Sequence, residues 1–165
     1  MSSAPEIVTR AEQPYVAIRT QVTMEDLGTV VPPLNQEVFA WLGEHGAVPA
    51  GAPFWKYNVI AMAGKLEIEA GVSVAAAVAG DDRVVSGELP AGRYATLTHV
   101  GHPSELMAAT KALLDWAAEQ DLTWDMTSGE SGDRWGCRLE IYLTDPREEP
   151  DMSKWVTQLA FRLAG

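Results

Sequence analysis

Apolar and polar residues alternate along six stretches of the chain, a pattern that predicts β-strands with one buried face. The alternation is clear in the sequence LEIYL, where Leu139, Ile141 and Leu143 alternate with Glu140 and Tyr142. Each half of the chain holds three such stretches. They are 15–22, 54–60 and 65–74 in the first half, and 93–100, 132–145 and 154–163 in the second.

Two other segments repeat apolar residues every three or four positions, which is the spacing of one helix face. The first segment follows Pro32 and Pro33, and the second follows Pro103. Both are predicted to be helices that pack against neighbouring strands. Their apolar faces would consist of Leu34, Val38, Trp41 and Leu42 in the first helix, and Leu106, Ala109, Leu113, Trp116 and Ala117 in the second. The segment 47–53 is predicted to be a loop because it is rich in proline, glycine and alanine.

The order strand–helix–strand–strand occurs twice, which indicates an internal duplication. The pseudo-repeats span about 5–80 and 84–165 of a single domain, 1–165. Three residue pairs hold like positions in the two halves, namely Tyr15 and Tyr94, Trp41 and Trp116, and Glu67 and Glu140. The fold class is therefore predicted to be α+β, with one antiparallel sheet that carries two helices on one face and a concave surface on the other.

Strand alternation also predicts which side chains face the helices. Leu139 and Ile141 are expected to face them, so that Glu140 and Tyr142 point to the concave surface together with Glu67. The pattern alone favours a sheet whose second face is solvated, with these glutamates as ordinary surface residues. A register slip of one residue would exchange the two faces.

Composition narrows the classes of function. The net charge is −11, with 12 basic and 23 acidic residues, which argues against a nucleic-acid partner because duplex binding depends on Lys and Arg. The longest apolar run, 74–79, is too short to cross a membrane, and no signal peptide is visible. A single cysteine, Cys137, excludes an internal disulfide and fits a cytoplasmic location.

Motifs for cofactors or metals are weak. The segment GELPAG precedes a predicted strand rather than a helix, so it is not a phosphate-binding loop. His99 and His102 have a spacing that could suggest a metal site, but no third residue has metal-ligand spacing. We therefore expect no cofactor and no metal, and a capping or surface role for the two histidines.

Four stretches together resemble one known family. They are VFAWLGEHGAVPAGAPFWKYN at 38–58, GELPAGRYATLTHVGHPSEL at 87–106, LLDWAAEQDL at 113–122 and LEIYLTDP at 139–146. They resemble the GyrI-like small-molecule-binding domain, which also serves as the effector-binding domain of some AraC-type and MerR-type regulators. The resemblance covers about 5–163. Each motif is weak alone, and their order carries the resemblance.

The resemblance implies an aromatic pocket for lipophilic, often cationic, small molecules, with an acidic residue in the E-x-Y strand of the second half. In this sequence that pair is Glu140 and Tyr142. The other candidate ligand-binding residues are Trp135, Trp55, Tyr57, Glu67, Phe54 and Phe39, of which the two phenylalanines depend most on strand phase. No helix-turn-helix is visible, so DNA binding by the chain itself is not expected.

The same carboxylate supports two functions. Aromatic rings and a carboxylate attract a lipophilic cation through buried area, cation–π contact and charge. A glutamate in an apolar pocket also has a raised pKa, so Glu140 could serve as a general acid or base with Tyr142 beside it. Some stand-alone members resemble hydrolases that open cyclopropane-bearing genotoxins. Binder and hydrolase both stay open, as do a third role as a protein-interaction inhibitor and the oligomeric state.

Overall fold

The computed structural model describes residues 2–61, 64–130 and 132–165. Within them, the chain forms ten strands and three α-helices. In chain order they are β1 (Glu6–Arg10), β2 (Gln13–Val22), α1 (Leu27–Val30), α2 (Pro32–Glu44), β3 (Pro49–Ile60), β4 (Leu66–Val74), β5 (Val85–Leu89), β6 (Gly92–Val100), α3 (Leu106–Glu119), β7 (Met126–Gly129), β8 (Gly132–Trp135), β9 (Arg138–Tyr142) and β10 (Val156–Arg162). No helix in these ranges is long and apolar enough to cross a membrane.

The described strands form one antiparallel sheet in the order β1-β6-β10-β9-β3-β4-β2-β5, with β8 beside β3 and β7 beside β8. The two halves have the same internal order, β2-β4-β3 and β6-β10-β9, and meet where β3 pairs with β9. This confirms the α+β fold class and the duplicated strand–helix–strand–strand unit. The centre of the sheet is therefore the junction of the two repeats.

Each half also has a short leading strand that pairs with the other half. β1 pairs with β6, and β5 pairs with β2. Neither strand was predicted, because EIVTR and VSGEL are short and mixed in polarity. The exchange links the two repeats at both outer edges as well as at the centre.

The two long helices cover one face of the sheet. Val38, Trp41 and Leu42 of α2 pack on Val16 and the neighbouring apolar residues of β2 and β4. Ala109 and Leu113 of α3 pack on residues of β6 and β10 such as Leu97 and Leu159. The apolar faces predicted for both helices are confirmed, although Leu34 and Trp116 are only partly buried.

The opposite face is also apolar, because the sheet curls into a half-barrel. Val8 of β1 and Val85 of β5 lie at opposite ends of the strand order, yet they pack against the same buried cluster. That cluster contains Phe54 and Leu139 from the two central strands. The helix face and the half-barrel face therefore each have a core of their own.

This second core reverses the predicted phase of β9. Leu139 and Ile141 pack in the half-barrel, so the prediction that they face the helices is wrong. Glu140 pairs across the strands with Trp55, which contacts α2, so Glu140 faces the helices. The predictions for β4 are confirmed, since Ile68 packs on the helix side. Alternation alone did not distinguish two apolar faces.

Two further boundaries differ from the sequence predictions. The predicted loop 47–53 is mostly part of β3, whose first residues pair irregularly with β4. The predicted strand 132–145 is two strands, because the extended structure is interrupted at Gly136 between β8 and β9. The second strand, β9, ends at Tyr142. A Cβ at Gly136 would meet Asp125 Oδ2 at 1.8 Å, so only glycine fits this break.

Candidate ligand-binding site

A cluster of aromatic and charged side chains lies on the helix face where β3 meets β9. α2 packs over β2 and β4 and α3 over β6 and β10, so the two central strands form the floor between the helices. Trp55 and Tyr57 reach this floor from β3 because they alternate along the strand with Phe54, which points to the half-barrel face. Glu140 and Tyr142 reach it from β9 for the same reason.

Glu140 accepts hydrogen bonds from two tyrosines. The Tyr142 hydroxyl donates to Oε1, and the Tyr57 hydroxyl donates to Oε2 over a long 3.4 Å. Burial raises the pKa of Glu140, while the two hydroxyl donors and the charge of Arg138 oppose that rise. The net result is a carboxyl group that gives up its proton at a higher pH than usual.

Burial and the nearby Glu140 carboxylate also raise the pKa of both tyrosines well above the usual value. Tyr57 and Tyr142 are therefore neutral hydrogen-bond donors at physiological pH. Their hydroxyl groups are directed at the carboxylate, so the rings rather than the hydroxyls are left to contact other groups.

Trp55 is held in place by α2. Its indole Nε1 donates to Asn35 Oδ1 at 2.8 Å, and its ring stands edge-to-face on Tyr142 with 5.2 Å between centroids. Asn35 in turn donates through Nδ2 to the carbonyl oxygens of Phe54 and Gly71 at 3.2 and 3.3 Å. One buried amide thus fixes the helix, two strands and the indole together.

Arg138 lies on the same strand face, two residues before Glu140, and sequence reasoning missed it. Its guanidinium carbon lies 4.4 Å from the ring centroid of Phe161, 4.7 Å from Trp135 and 5.8 Å from Tyr57. Burial lowers its pKa, but a guanidinium stays charged at any physiological pH. The spacing R-x-E on one strand was the available signal.

The remaining candidates lie apart from this cluster. Trp135 is buried with Trp124 and Phe161 beneath α3 and contacts the guanidinium of Arg138. Phe54 is buried in the half-barrel against Tyr15. Glu67 lies on the half-barrel face of β4, which is the counterpart of β10 rather than of β9, so the prediction that Glu67 and Glu140 hold like positions and share a face is wrong. Phe39 is 39% exposed on α2, one turn after Asn35.

The two histidines have separate structural partners. His99 is buried, with Nδ1 2.8 Å from Ser2 Oγ and Nε2 3.0 Å from Glu105 Oε1. His102 accepts from the backbone N–H of Ser104 and so caps the short 3-10 turn that precedes α3. Within the described ranges, no three His, Cys, Asp or Glu side chains are grouped to hold a metal ion.

Comparison of the molecule with solved structures shows the same fold in several proteins. The C-terminal domain of EcmrR has 17% identity and a TM-score of 0.75, with 98% of this chain and 97% of that domain covered. SAV2435 bound to tetraphenylphosphonium has 14% identity and a TM-score of 0.66, with 99% and 95% covered. A hydrolase from Listeria innocua has 15% identity and a TM-score of 0.59, with 97% and 91% covered. At such identities the likeness shows the fold alone.

The first of these relatives is part of a larger protein. In the EcmrR–DNA complex the chain matches with 17% identity and a TM-score of 0.74, and it spans 57% of the length of EcmrR. A search of curated proteins gave no match. The family model described as GyrI-like small molecule binding domain matches residues 3–164, which is nearly the whole chain. The chain therefore belongs to the GyrI-like small-molecule-binding domain family.

Proposed function

We propose that this protein binds bulky lipophilic cations at the Glu140 cluster. The observation that carries the proposal is a partly buried carboxylate bordered by the rings of Trp55, Tyr57 and Tyr142. Likeness in fold to SAV2435, whose structure holds tetraphenylphosphonium, supports the same class of ligand.

The arrangement suits a cation physically. Aromatic faces contribute buried area and cation–π attraction, which strengthens as water is excluded. The carboxylate supplies the opposing charge in a region of low dielectric, where a charge interaction is stronger than in water. The hydroxyl groups of Tyr57 and Tyr142 already donate hydrogen bonds to Glu140. A ligand without hydrogen-bond donors therefore leaves no carboxylate oxygen without a partner when it binds.

The test is calorimetric titration of the purified protein with tetraphenylphosphonium. We expect binding by the wild type and a loss of at least about tenfold in affinity, roughly 1.4 kcal/mol, in Glu140→Gln. Glu67→Gln is the matched control, because it removes a glutamate from the opposite face of the sheet. Equal affinity in the wild type and Glu140→Gln would reject the role of the carboxylate, and no binding to the wild type would reject the proposal.

The pH dependence provides a second readout of the same proposal. Burial raises the pKa of Glu140, so the carboxyl stays neutral to a higher pH than an exposed glutamate does. Affinity for a permanent cation should therefore rise with pH as Glu140 loses its proton. In Glu140→Gln this rise should vanish, because the amide does not titrate.

A second candidate function is hydrolysis of cyclopropane-bearing genotoxins by the same residues. It is favoured by a glutamate with a raised pKa beside two neutral tyrosines, which is suited to general acid–base catalysis. Glu140 would take a proton from an attacking water as the strained C–C bond breaks, and would return it to the carbonyl-conjugated fragment that receives the electron pair. The likeness to a protein described as a hydrolase supports this alternative.

Turnover separates the two functions. A cyclopropane-bearing alkylator incubated with enzyme should give the water-addition product if the hydrolase proposal holds, and Glu140→Gln should then lose nearly all activity. Tyr142→Phe should retain folding and lose part of the rate, since it removes a donor to Glu140. Binding without turnover at high protein concentration would reject the hydrolase proposal for this substrate and retain the binding proposal.

A further inference from the structure

A polar cavity of about 330 Å³ opens on the half-barrel face, on the other side of the sheet from Glu140. It adjoins a larger cavity of about 550 Å³, and Glu67 and Arg134 line both. We propose that this polar cavity is a second binding site, for small hydroxylated organic anions that carry a carboxylate or phosphate group.

One wall of the cavity is a buried ionic network centred on Glu69, which is 1% exposed. Tyr15 Oη donates to its Oε1 at 2.7 Å, Asn58 Nδ2 donates to Oε2 at 2.6 Å, and Lys56 Nζ lies 3.3 Å from Oε2. Burial alone would raise the pKa of Glu69, but Lys56, with the Asn58 and Tyr15 hydrogen bonds, lowers it. Glu69 is therefore charged, and its oxygens already have partners.

Cations outnumber carboxylates around the cavity. Strand pairing places Arg19, Glu69 and Lys56 in one row across β2, β4 and β3, so a basic residue stands on each side of the glutamate. Arg134 adds a third positive charge, and Glu67 is the second carboxylate. A local excess of positive charge is unexpected in a chain of net charge −11 with only 12 basic residues.

The two arginines are available to a ligand. Neither Arg19 nor Arg134 has an ion-pair partner in the part of the chain that the structure describes, and both side chains are exposed at the cavity. A guanidinium binds carboxylate or phosphate oxygens through paired N–H donors. Glu67, half-buried beside them, can accept from a hydroxyl group, so the lining matches an anion that also bears hydroxyls.

The test titrates the protein at low ionic strength with citrate and with glucose 6-phosphate, and uses glucose as the uncharged control. We expect at least one of the two anions to bind with a dissociation constant below about 1 mM and glucose not to bind. The carboxylate and phosphate arms show which group the site takes. Failure of both anions to bind would overturn the proposal.

Variants of the two arginines then test whether the anion binds in this cavity. Arg19→Gln and Arg134→Gln should each weaken the anion at least about fivefold, since each removes a charge-assisted hydrogen bond. Arg147→Gln, at an arginine paired with Asp145 on an exposed loop, should change nothing. Unchanged affinity in both cavity variants would overturn the proposal, and so would loss of anion binding in Glu140→Gln. Saturating citrate should leave the affinity for tetraphenylphosphonium unchanged, because the two ligands bind on opposite faces of the sheet. The proposal for each site can therefore be rejected without rejecting the other.

Discussion

Glu140 is not a lone negative charge, because Arg138 lies two residues away on the same face of β9. The guanidinium is not within ion-pair distance, yet its charge acts on Glu140 through a partly buried region. Opposite charges so placed make the site dipolar. They should reduce its preference for cations relative to a site with the carboxylate alone.

We expect Arg138→Gln to shift the selectivity of the site toward cations. Tetraphenylphosphonium and tetraphenylborate have the same shape and opposite charge, so the ratio of their affinities isolates the electrostatic contribution. The ratio should increase about fivefold, on the order of 1 kcal/mol, in favour of the cation. Calorimetric titration of both ions measures it.

The ratio of the two affinities also separates the effect of the Arg138 charge from the effect of its packing. Arg138 packs on Phe161 and Trp135, so its replacement changes the core as well as the charge. Such a packing change should affect two ions of one shape alike. Arg134→Gln, on the opposite face, serves as the control for lost positive charge. An unchanged ratio in Arg138→Gln would mean that solvent screens the guanidinium from the site.

At the scale of elements, α2 is joined to the sheet by Asn35 as well as by apolar contacts. Its amide donates to carbonyls on β3 and β4 and accepts from Trp55. A buried polar group of this kind is stabilising only while its partners are all present. The position of α2 and the orientation of the Trp55 ring therefore depend on the same side chain.

We expect Asn35→Ala to lower both stability and affinity. The change leaves the Trp55 N–H without its acceptor, which should reduce the free energy of unfolding by about 1–3 kcal/mol. Tetraphenylphosphonium affinity should fall because Trp55 is no longer fixed at the floor of the site. Chemical denaturation and calorimetry measure the two effects. Thr110→Ala on α3, the position that corresponds to Asn35 in the second repeat, is the control, and equal losses in both variants would contradict this role of Asn35.

Sequence patterns identified most elements but not the faces of the central strands. Alternation at 139–143 located β9, whereas the half-barrel core around Phe54 and Leu139 made its apolar face ambiguous. The grouping of Glu140, Tyr142, Trp55 and Tyr57 was nevertheless foreseen, because all four change face together. Asn35 was missed because long-range packing, rather than local spacing, brings it to the site, whereas the R-x-E spacing of Arg138 was present in the sequence but was not used.

At the scale of the whole molecule, the duplication was visible in sequence but the strand exchange was not. β1 contributes Val8 to the half-barrel core, and Arg10 Nη2 donates to Gln158 Oε1 at 2.8 Å in the second repeat. β5 completes the first repeat in the same way by pairing with β2. Each repeat thus takes an edge strand from the other, which is the arrangement of a swapped dimer within one chain.

This exchange of edge strands predicts that neither repeat folds alone, but that the two repeats can reassemble when they are mixed as separate fragments. Fragments 1–77 and 78–165, cut in the exposed segment before Val78, should each be largely unfolded alone, since each exposes an unpaired edge and half a core. Mixed at equal concentration, they should recover the circular dichroism spectrum of the intact chain. Trp41 would then again donate to Asp81 across the cut, at 2.8 Å in the intact protein.

The strength of this reassembly should depend on β1. A fragment 12–77, which lacks β1, keeps the central pairing of β3 with β9 but leaves β6 as a bare edge. It should bind the second fragment at least about tenfold more weakly than 1–77 does, roughly 1.4 kcal/mol, as measured by calorimetry. Equal affinity would show that the central strands and the half-barrel core hold the repeats together without the exchange. Independent folding of either fragment would show that each repeat buries a sufficient core of its own.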